Sequence, residues 1–523
     1  MIRLQSYIGA AWRDGSGQGR AFGDPVTGED IGIVDSTGID MAEALSFARD
    51  KGGAALRAMS FADRGAILNA IADALLAKRA EYDDIARRNS GNTKRDAAID
   101  IDGGIGTLKY YARLGKNLGD AKYLMEDGRD QLTKPGNFLV QHMWTSRPGV
   151  AVCINAYNFP SWGLWEKVAV AVLAGVPVFA KPASTSAWLS ERMVRDAAQA
   201  GAIPEGVLSL ICGRADGLLD AVTPFDHIAF TGSADTGAMI RSHAHVQSAA
   251  PRLNIEADSI NCAILGESVA ADSDVFNLIV REINGALTIK AGQLCTNIRR
   301  IFGPKALAAQ LTDALAAKID AIVSGNPANE SVALGPLVNR SQQVAALEGL
   351  AKLKSETQVV RGGGAPEQLV DADPAKGAFL QPTLLSVGDG SNLKAIHETE
   401  VFGPVATVIP YGSMDEAIAL AARGGGSLAA SVWCEDGAEA ACIAAGLGPF
   451  HGRVMCIDPE VGKGHTGHSI VMPQGVHGGP GRAGGGEELG GLRGLRFYMQ
   501  RTAVQGSPSV LDGLAAQAAT AFL

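Results

Sequence analysis

The chain has 523 residues, of which 46% are hydrophobic and 19% are charged, and its formal net charge is −9. This composition is typical of a globular protein, and the length exceeds what one compact core usually fills, so two or three subdomains are expected. The acidic balance gives no electrostatic support for a nucleic-acid partner.

No feature of the chain predicts a membrane or a secreted location. The longest apolar run, 168–180, contains Pro177 and is shorter than the about 20 residues that a membrane span needs. The amino-terminal residues lack the long apolar stretch of a signal peptide. The seven cysteines form no CxxC or Cys/His cluster. We therefore expect a cytoplasmic protein with reduced thiols, no disulfide framework and no metal site.

The first half of the chain alternates between helix and strand patterns. Apolar residues at three- and four-residue spacing predict helices over 39–59 and 62–90. Residues 92–145 are more polar and predict either an arm or a helix followed by an extended segment. The pattern from residue 148 to 243 predicts strand and helix in alternation: strand 150–154, helix from Trp162, strand 176–180, helix 185–200, strands 207–212 and 227–230, and a helix from about 233 to 243.

A second α/β region is expected after about residue 260. Its predicted helices are 274–290 and 305–323, and its predicted strands are 299–303 and 405–410. Alternation of this kind predicts a mostly parallel sheet with helices on both faces. Such sheets bind ligands at the carboxyl ends of their strands.

Two short segments follow strands in the first region. The first, 155-NAYNFP-160, places the amide of Asn158 where it could donate to a developing oxyanion. The second, 180-AKPASTSA-187, places Lys181 at a strand end, before hydroxyl residues that favour a helix start. Taken alone, each segment is better explained as a turn or a capping run with a surface lysine.

The third segment, 228-IAFTGSADTG-237, predicts a strand, a tight turn and a helix. Gly232 and Gly237 allow close backbone approach, although the GxGxxG spacing of a standard dinucleotide fingerprint is absent. A glycine turn at a helix start can accept a pyrophosphate. A plain strand-to-helix turn is an equally good local explanation.

The fourth segment, 290-KAGQLCTNIRR-300, surrounds Cys295 with polar residues, so its thiol should be reachable. A nucleophilic cysteine needs a lowered pKa or a nearby base. Most cysteines are small buried apolar groups instead.

Together, the ordered segments NFP, KP, FTGS, an isolated glutamate, GQxC and 400-EVFGP-404 resemble the aldehyde dehydrogenase superfamily over about residues 25–500. The glycine-rich stretch 478–491 is similar to that family's carboxyl-terminal segment. The resemblance implies an α/β aldehyde dehydrogenase fold in three parts, and a homodimer or homotetramer. The implied parts are a Rossmann-like cofactor domain over 1–258 with an oligomerisation-arm segment near 120–148, a catalytic domain over 259–470, and a carboxyl-terminal segment and arm over 471–523.

The resemblance also implies site residues. Cys295 matches the nucleophile, Glu256 the general base and Asn158 the oxyanion donor. The implied cofactor-binding residues are Lys181, Ser184, Thr231, Gly232, Ser233, Gly237, Glu400 and Phe402. The sulfur would add to an aldehyde, hydride would leave to the nicotinamide, and water would cleave the resulting thioester. Glu256 lies in the apolar run 253-LNIEADSI-260, so we expect partial desolvation to raise its pKa towards neutrality.

Two departures from the family pattern bear on specificity. Many members have two glycines where this chain has Asp258 and Ser259, so the loop beside the nicotinamide should differ. Members that prefer NAD often carry a glutamate where this chain has Ser184. Because a small neutral residue near Lys181 could accept a 2′-phosphate, we predict NADP as the cofactor.

The substrate is expected to be a CoA-linked semialdehyde. The EADS segment, 482-RAGGGEELGG-491 and 498-YMQRTAVQGSP-508 resemble a branch of the family that acts in aerobic breakdown of aromatic acids. Bifunctional members of this branch continue into a hydratase domain, whereas this sequence ends at Leu523, so a stand-alone dehydrogenase is expected. Arg299, Arg300 and Arg482 are candidate phosphate partners, although structural roles are the better explanation for them.

Other functions stay open at this point. The substrate could be a free aldehyde or one derived from ring-opened phenylacetyl-CoA. An acylating dehydrogenase would release acyl-CoA by attack of free CoA, but such enzymes generally lack the base, which argues against it here. A non-catalytic protein with the same fold is disfavoured by the presence of Cys295, Glu256 and Asn158.

Overall fold

The computed structural model describes residues 1–521. Strands and helices alternate along most of this length and build two seven-stranded sheets and smaller sheets beside them. The predicted α/β class is therefore confirmed. Among the described residues, no helix combines the length and the apolar character needed to cross a membrane.

The strands account for all five sheets. In chain order they are β1 (Ile2–Leu4), β2 (Ser6–Ile8), β3 (Ala11–Arg13), β4 (Arg20–Gly23), β5 (Asp30–Val34), β6 (Leu124–Glu126), β7 (Asp130–Gln131), β8 (Leu139–Ser146), β9 (Ala151–Ile154), β10 (Val178–Lys181), β11 (Leu208–Leu210), β12 (His227–Thr231), β13 (Arg252–Glu256), β14 (Asn261–Leu265), β15 (Ile298–Pro304), β16 (Gln358–Arg361), β17 (Thr383–Ser386), β18 (Val405–Tyr411), β19 (Ser427–Trp433), β20 (His451–Ile457), β21 (Val476–Gly478), β22 (Glu487–Leu489), β23 (Met499–Gly506) and β24 (Ala519–Ala521).

The α-helices lie between these strands, and a π-helical turn over Ala48–Gly53 joins the first two. They are α1 (Met41–Phe47), α2 (Ala54–Ala58), α3 (Phe61–Ala77), α4 (Glu81–Ser90), α5 (Lys94–Leu118), α6 (Trp162–Leu173), α7 (Ala187–Gln199), α8 (Ala234–Ser242), α9 (Ala244–Ala249), α10 (Asp274–Thr288), α11 (Ala308–Asp320), α12 (Arg340–Lys354), α13 (Ala395–Glu398), α14 (Met414–Ala422), α15 (Gly437–Leu447), α16 (Leu492–Tyr498) and α17 (Pro508–Ala515).

The first large sheet has the strand order β13-β12-β9-β10-β11-β2-β3. Its strands from β13 to β11 run parallel, with Ala151 in register with both Val178 and His227. The amino-terminal strands β2 and β3 complete the sheet in antiparallel orientation. The parallel strands are short apolar runs buried on both faces, as is usual where helices cover both sides of a sheet. Their carboxyl ends therefore meet at one edge.

The second large sheet has the order β16-β17-β18-β15-β14-β19-β20 and is parallel except for β16. A separate sheet, which we call the arm sheet, has the order β23-β8-β6-β24, with β7 paired to β8. The arm sheet joins residues from 124–146 to residues from 499–521.

The single helix expected over 62–90 is wrong, because the structure has two helices, α3 and α4, with a turn between them. Local sequence gives no break signal there, since residues 77–80 contain neither glycine nor proline. The turn allows each helix to bury its own apolar face, with Leu75 and Tyr82 both inaccessible to solvent. Helix α3 begins at a capping box in which Ser60 and Asp63 exchange hydrogen bonds.

Candidate active site

Cys295 lies in the connection between α10 and β15, just after a tight turn. Lys290, Ala291 and Gly292 in this turn all have left-handed backbones, with φ of 48°, 52° and 69°. A Cβ atom on Gly292 would lie 2.3 Å from the carbonyl oxygen of Gly403, so this position needs glycine. The turn therefore fits closely against the 400-EVFGP-404 segment.

Helix α5 holds this turn in place from the other side. The carboxylate of Asp96 accepts a hydrogen bond from the backbone N–H of Lys290 at 2.8 Å. The Lys290 ammonium lies 3.3 Å from the carboxylate of Asp100, and both groups are buried. Asp100 also accepts the backbone N–H groups of Ser161 and Trp162 at the start of α6. One helix thus positions both the Cys295 turn and the loop after β9.

The Cys295 side chain is only partly buried and lines two cavities. We call the first the substrate-side cavity; it has a volume of about 350 Å³ and is bordered by α5 and residues 469–474. We call the second the cofactor-side cavity, after the predicted cofactor-binding residues that line it; it has a volume of about 450 Å³ and lies at the carboxyl ends of β9, β10, β12 and β13. The thiol is therefore accessible from two directions rather than enclosed in the core.

Most of the predicted site residues line the cofactor-side cavity together. They are Asn158, Lys181, Thr231, Gly232, Ser233, Glu256, Cys295, Glu400 and Phe402. Ser184 and Gly237 do not line it. Ser184 follows the lining residue Ala183 by one position, and Gly237 lies against the side chain of Ile255 on β13. Gly237 thus allows close contact between α8 and the sheet.

Asn158 is held in the loop after β9 by its neighbours. Its side-chain N–H donates to the carbonyl oxygen of Gln293 at 2.9 Å, next to the Cys295 turn. An amide group carries two N–H hydrogens, so one donor remains for another acceptor. The hydroxyls of Ser186 and Ser190 donate to the carbonyl oxygens of Tyr157 and Pro160. The loop that carries Asn158 is therefore anchored at both ends.

Glu256, at the end of β13, is buried and pairs with His477 of β21 across 3.1 Å. Burial alone would raise the pKa of Glu256, but the charge of His477, its hydrogen bond and the charge of Lys167 bring that pKa well below its ordinary value of 4.5. The expectation of a raised pKa is thus wrong, because no sequence pattern identifies His477 as a partner of Glu256. The second carboxylate oxygen of Glu256 has no hydrogen-bond partner within residues 1–521.

His477 also faces the thiol. Its Nε2 lies 3.9 Å from the sulfur of Cys295, and its ring contacts Trp162 edge-on at 5.4 Å. The ligand atoms of Glu256, Cys295 and His477 all lie within 4.8 Å of one another. These are residue types that also bind zinc, and the expectation that the protein has no metal site stays a prediction.

The thiol of Cys295 is held in its protonated form in this arrangement. Burial and then the negative charge of Glu256 raise the pKa of Cys295 well above its ordinary value of 9.0. Only the thiolate is a strong nucleophile, so a nucleophilic role for Cys295 requires transfer of this proton. Glu256 and His477 are the adjacent groups that can accept it.

A buried lysine lies behind Glu256. The ammonium of Lys167, on α6, is 3.0 Å from Glu166, 3.1 Å from Glu488 and 3.0 Å from the Thr231 hydroxyl. Burial alone would lower the pKa of Lys167, but the charges of Glu166 and Glu488 outweigh it and raise that pKa, so the ammonium stays charged. The sequence patterns did not identify Glu166, Lys167 and Glu488, which lie on α6 and β22, far apart in the chain.

Glu400 and Phe402 form the opposite wall of the cofactor-side cavity. Glu400 accepts the backbone N–H of Ser259 at 3.1 Å and lies 3.6 Å from the guanidinium of Arg299. Burial raises the pKa of Glu400 to about 7, because the charge of Arg299 only partly offsets the lost hydration. Phe402 contacts Tyr157 edge-on at 5.9 Å.

Comparison with known proteins identifies the family. Residues 12–504 match the model described as the aldehyde dehydrogenase family. The chain belongs to this family. It is 52% identical to the 3,4-dehydroadipyl-CoA semialdehyde dehydrogenase of Aromatoleum evansii, over 92% of this chain and 93% of that protein. It is 29% identical to the 2-hydroxymuconic semialdehyde dehydrogenase of Pseudomonas sp. strain CF600, over 86% and 90% of the two chains.

Solved structures show the same fold. The Mycobacterium tuberculosis aldehyde dehydrogenase complexed with NAD+ matches with a TM-score of 0.80 at 25% identity, covering 96% of this chain and 98% of that one. A variant of betaine aldehyde dehydrogenase from Staphylococcus aureus, in complex with NAD+, matches with a TM-score of 0.82 at 24% identity over 97% and 98% of the chains. The predicted aldehyde dehydrogenase fold is thus confirmed.

Two of the candidate phosphate-binding arginines have structural roles in this aldehyde dehydrogenase. Arg299 donates to the carbonyl oxygens of Gly292, Leu294 and Gly403. Arg300 is fully buried and donates to carbonyl oxygens at the end of α14. The unusual Asp258 accepts the backbone N–H of Ala234 at the start of α8. The arginines thus fix the Cys295 turn, the 400–404 segment and α14, and Asp258 fixes the start of α8.

Proposed function

We propose that this aldehyde dehydrogenase oxidises a CoA-linked semialdehyde, 3,4-dehydroadipyl-CoA semialdehyde, to the carboxylic acid with NADP. The observation that carries the proposal is the thiol of Cys295 at the junction of two cavities, with Glu256 beside it. The substrate class follows from the name of the relative at 52% identity. The carboxylate of Glu256 can act as the base that activates water, so it favours hydrolysis of the acyl-enzyme over transfer of the acyl group to free CoA.

The side chains divide the reaction between them. The sulfur of Cys295 adds to the aldehyde carbon while its proton passes to Glu256, and the amide of Asn158 donates to the oxygen of the thiohemiacetal. One such donor is typically worth about 3 kcal/mol. Hydride then leaves and a thioester forms on Cys295. Glu256 releases the proton taken from the thiol to solvent, and its carboxylate then removes a proton from the water that cleaves this thioester and passes it to the departing sulfur, which frees the carboxylic acid and restores the thiol.

The residues of the cofactor-side cavity fit a nicotinamide dinucleotide, which supplies the hydride acceptor when bound. The buried Oε1 of Glu400 has no hydrogen-bond partner within residues 1–521, and ribose hydroxyls are suitable donors for it. At the other end of the cavity, Lys181 forms no ion pair with any described carboxylate, so its charge is available to a phosphate. The small Ser184 beside it supports NADP over NAD.

Activity measurements test the chemistry. Wild-type protein should form NADPH with the CoA-linked semialdehyde and without added free CoA. Cys295→Ala should abolish this activity, whereas the matched change Cys442→Ala, at an exposed cysteine away from the site, should not alter it. Dependence on free CoA would favour an acylating enzyme, and an active Cys295→Ala variant would contradict the proposal.

Cofactor choice is tested separately. Ser184→Glu should place a carboxylate near the 2′-phosphate and shift the ratio of kcat/KM from NADP towards NAD by at least about tenfold. Ser331→Glu, at an exposed serine in another loop, is the control for added charge. A wild-type protein that already prefers NAD would contradict this part of the proposal and leave the aldehyde chemistry unaffected.

A further inference from the structure

A third cavity, of about 630 Å³, opens beside the substrate-side cavity. We call it the basic cavity. Its walls come from the first turns of α5, from α10 and from the loop that precedes the glycine-rich segment. Its lining residues include Arg95, Arg281, Glu282, Lys463, His465 and Thr466.

The basic cavity and the substrate-side cavity share a wall. Ile99, Ser469 and Ile470 line both of them. The substrate-side cavity reaches Cys295 and Thr296 at its inner end, and its other walls include Trp162 and the apolar residues 471–472. A long substrate with its aldehyde at the sulfur could therefore pass along an apolar channel and place its far end in the basic cavity.

The charges of the basic cavity are unpaired. Within residues 1–521, Arg95, Arg281 and Lys463 form no ion pair with a carboxylate, and all three side chains are exposed. Glu282 also lines the cavity, but it accepts the backbone N–H of His468 at 2.6 Å and lies 3.9 Å from His465. Three free cations facing one carboxylate that is already engaged leave a net positive cavity in a protein whose overall charge is −9.

The loop that carries Lys463 adds backbone donors. It reads 462-GKGHTG-467, and the N–H groups of His465 and Thr466 make no hydrogen bond to any described residue. Backbone N–H groups together with arginine and lysine are the donors that bind phosphate oxygens. The cavity therefore combines the two kinds of group that recognise a phosphorylated ligand.

We propose that the basic cavity binds the nucleotide end of the CoA moiety, with Arg95, Arg281 and Lys463 contacting its phosphates. The pantetheine arm then lies along the substrate-side cavity, and the aldehyde reaches Cys295. This assignment rests on the proposed CoA-linked substrate. Only the linked form would reach the cations, so a free aldehyde of the same chain length should have a higher KM.

Charge-neutralising variants test the site with the full-length protein. Arg95→Gln, Arg281→Gln and Lys463→Gln should each raise the KM for the CoA-linked semialdehyde by roughly tenfold, which corresponds to about 1.4 kcal/mol. Their kcat/KM for hexanal should stay unchanged, because this free aldehyde does not extend to the basic cavity. Arg13→Gln, at an exposed arginine on β3 that forms no ion pair with any residue of 1–521, is the matched control and should alter neither value.

A binding measurement gives a readout besides activity. Acetyl-CoA, titrated calorimetrically, should bind the wild-type protein and bind the Arg95→Gln and Arg281→Gln variants about tenfold more weakly. Equal acetyl-CoA affinity and unchanged KM in all three variants would overturn the site. If the wild-type protein instead had the same kcat/KM for hexanal as for the CoA-linked substrate and did not bind acetyl-CoA, the proposed substrate itself would be wrong.

Discussion

The contact between Glu256 and His477 sets the protonation of the groups around Cys295. Burial would otherwise keep a carboxyl at this position protonated, and a protonated carboxyl cannot act as a base. Because His477 and then Lys167 stabilise the charged form, Glu256 is ionised throughout the neutral range. The imidazole thus makes a buried carboxylate available as a base while it also faces the sulfur.

Replacing His477 should change the pH dependence of turnover. In His477→Phe, the imidazole no longer offsets the effect of burial on the carboxyl group of Glu256. The pKa of Glu256 therefore rises, and the acidic limb of the kcat profile moves to higher pH. Phenylalanine keeps an aromatic ring against Trp162, and His477→Gln, which retains an N–H donor, should show a smaller shift. The profile is measured with pre-steady-state bursts to separate acylation from hydrolysis of the thioester. An acidic limb that stays in place, even with a lowered thermal midpoint, would show that His477 is only structural.

Glu400 predicts a second pH effect, on the cofactor rather than on chemistry. Its pKa is raised to about 7, so the side chain is protonated below that pH and ionised above it. The ionised form accepts hydrogen bonds from ribose hydroxyls with both oxygens, so the KM for NADP should rise roughly tenfold between pH 8 and pH 6. In Glu400→Gln the KM should be higher and independent of pH over this interval. A wild-type KM that is flat from pH 8 to pH 6 would contradict this prediction.

At the scale of single elements, α5 positions Cys295, the proposed nucleophile, although no residue of α5 takes part in the proposed reaction. Asp96 and Asp100 lie one turn apart on its buried face and hold the Cys295 turn and the start of α6. Burial raises the pKa of Asp100, and the positive charge of Lys290 offsets this only in part. The left-handed backbone of the turn, at non-glycine residues 290 and 291, persists because these contacts hold it.

Removing the Asp100 carboxylate should therefore affect stability and rate together. Asp100→Ala leaves the Lys290 ammonium and two backbone N–H groups without their acceptor, and breaking a buried pair in this way typically costs about 3–5 kcal/mol. We expect a lower urea midpoint and a lower kcat, with little change in the KM for NADP. Asp100→Asn should retain more of the stability and more of the kcat. Glu398→Ala, in an exposed pair with Lys394, is the control and should cost less than about 1 kcal/mol. An Asp100→Ala protein with wild-type stability and kcat would exclude this role of α5.

Sequence patterns identified most elements of the two large sheets because buried strands are short apolar runs followed by turns. The predicted strand 150–154 is observed as Ala151–Ile154, and the predicted strand 405–410 as Val405–Tyr411. The break between α3 and α4 was not predictable, since tertiary contacts and not a local residue produce it. His477 and Lys167 were missed for a related reason: each meets Glu256 only through the fold, from elements distant in the chain.

At the scale of the whole molecule, the site lies between the two large sheets. Neither the strand order nor the antiparallel addition of β2 and β3 could be obtained from local patterns, because strand pairing is set by long-range contacts. Segment order along the chain nevertheless placed the site residues on loops at strand ends, as parallel sheets require. The arm sheet, from residues 124–146 and 499–521, pairs two segments at opposite ends of the sequence.

This placement predicts that cofactor binding stabilises the molecule as a unit. Lys181 and Ser233 line the cofactor-side cavity from the first large sheet, and Glu400 and Phe402 line it from the second part of the chain. A ligand at 100 times its Kd stabilises the state it binds by about 2.7 kcal/mol. NADP should therefore raise the thermal midpoint of every calorimetric transition, and Glu400→Gln should reduce the shift. A shift confined to one of two transitions, with the same shift in Glu400→Gln, would mean that the dinucleotide contacts the first sheet alone.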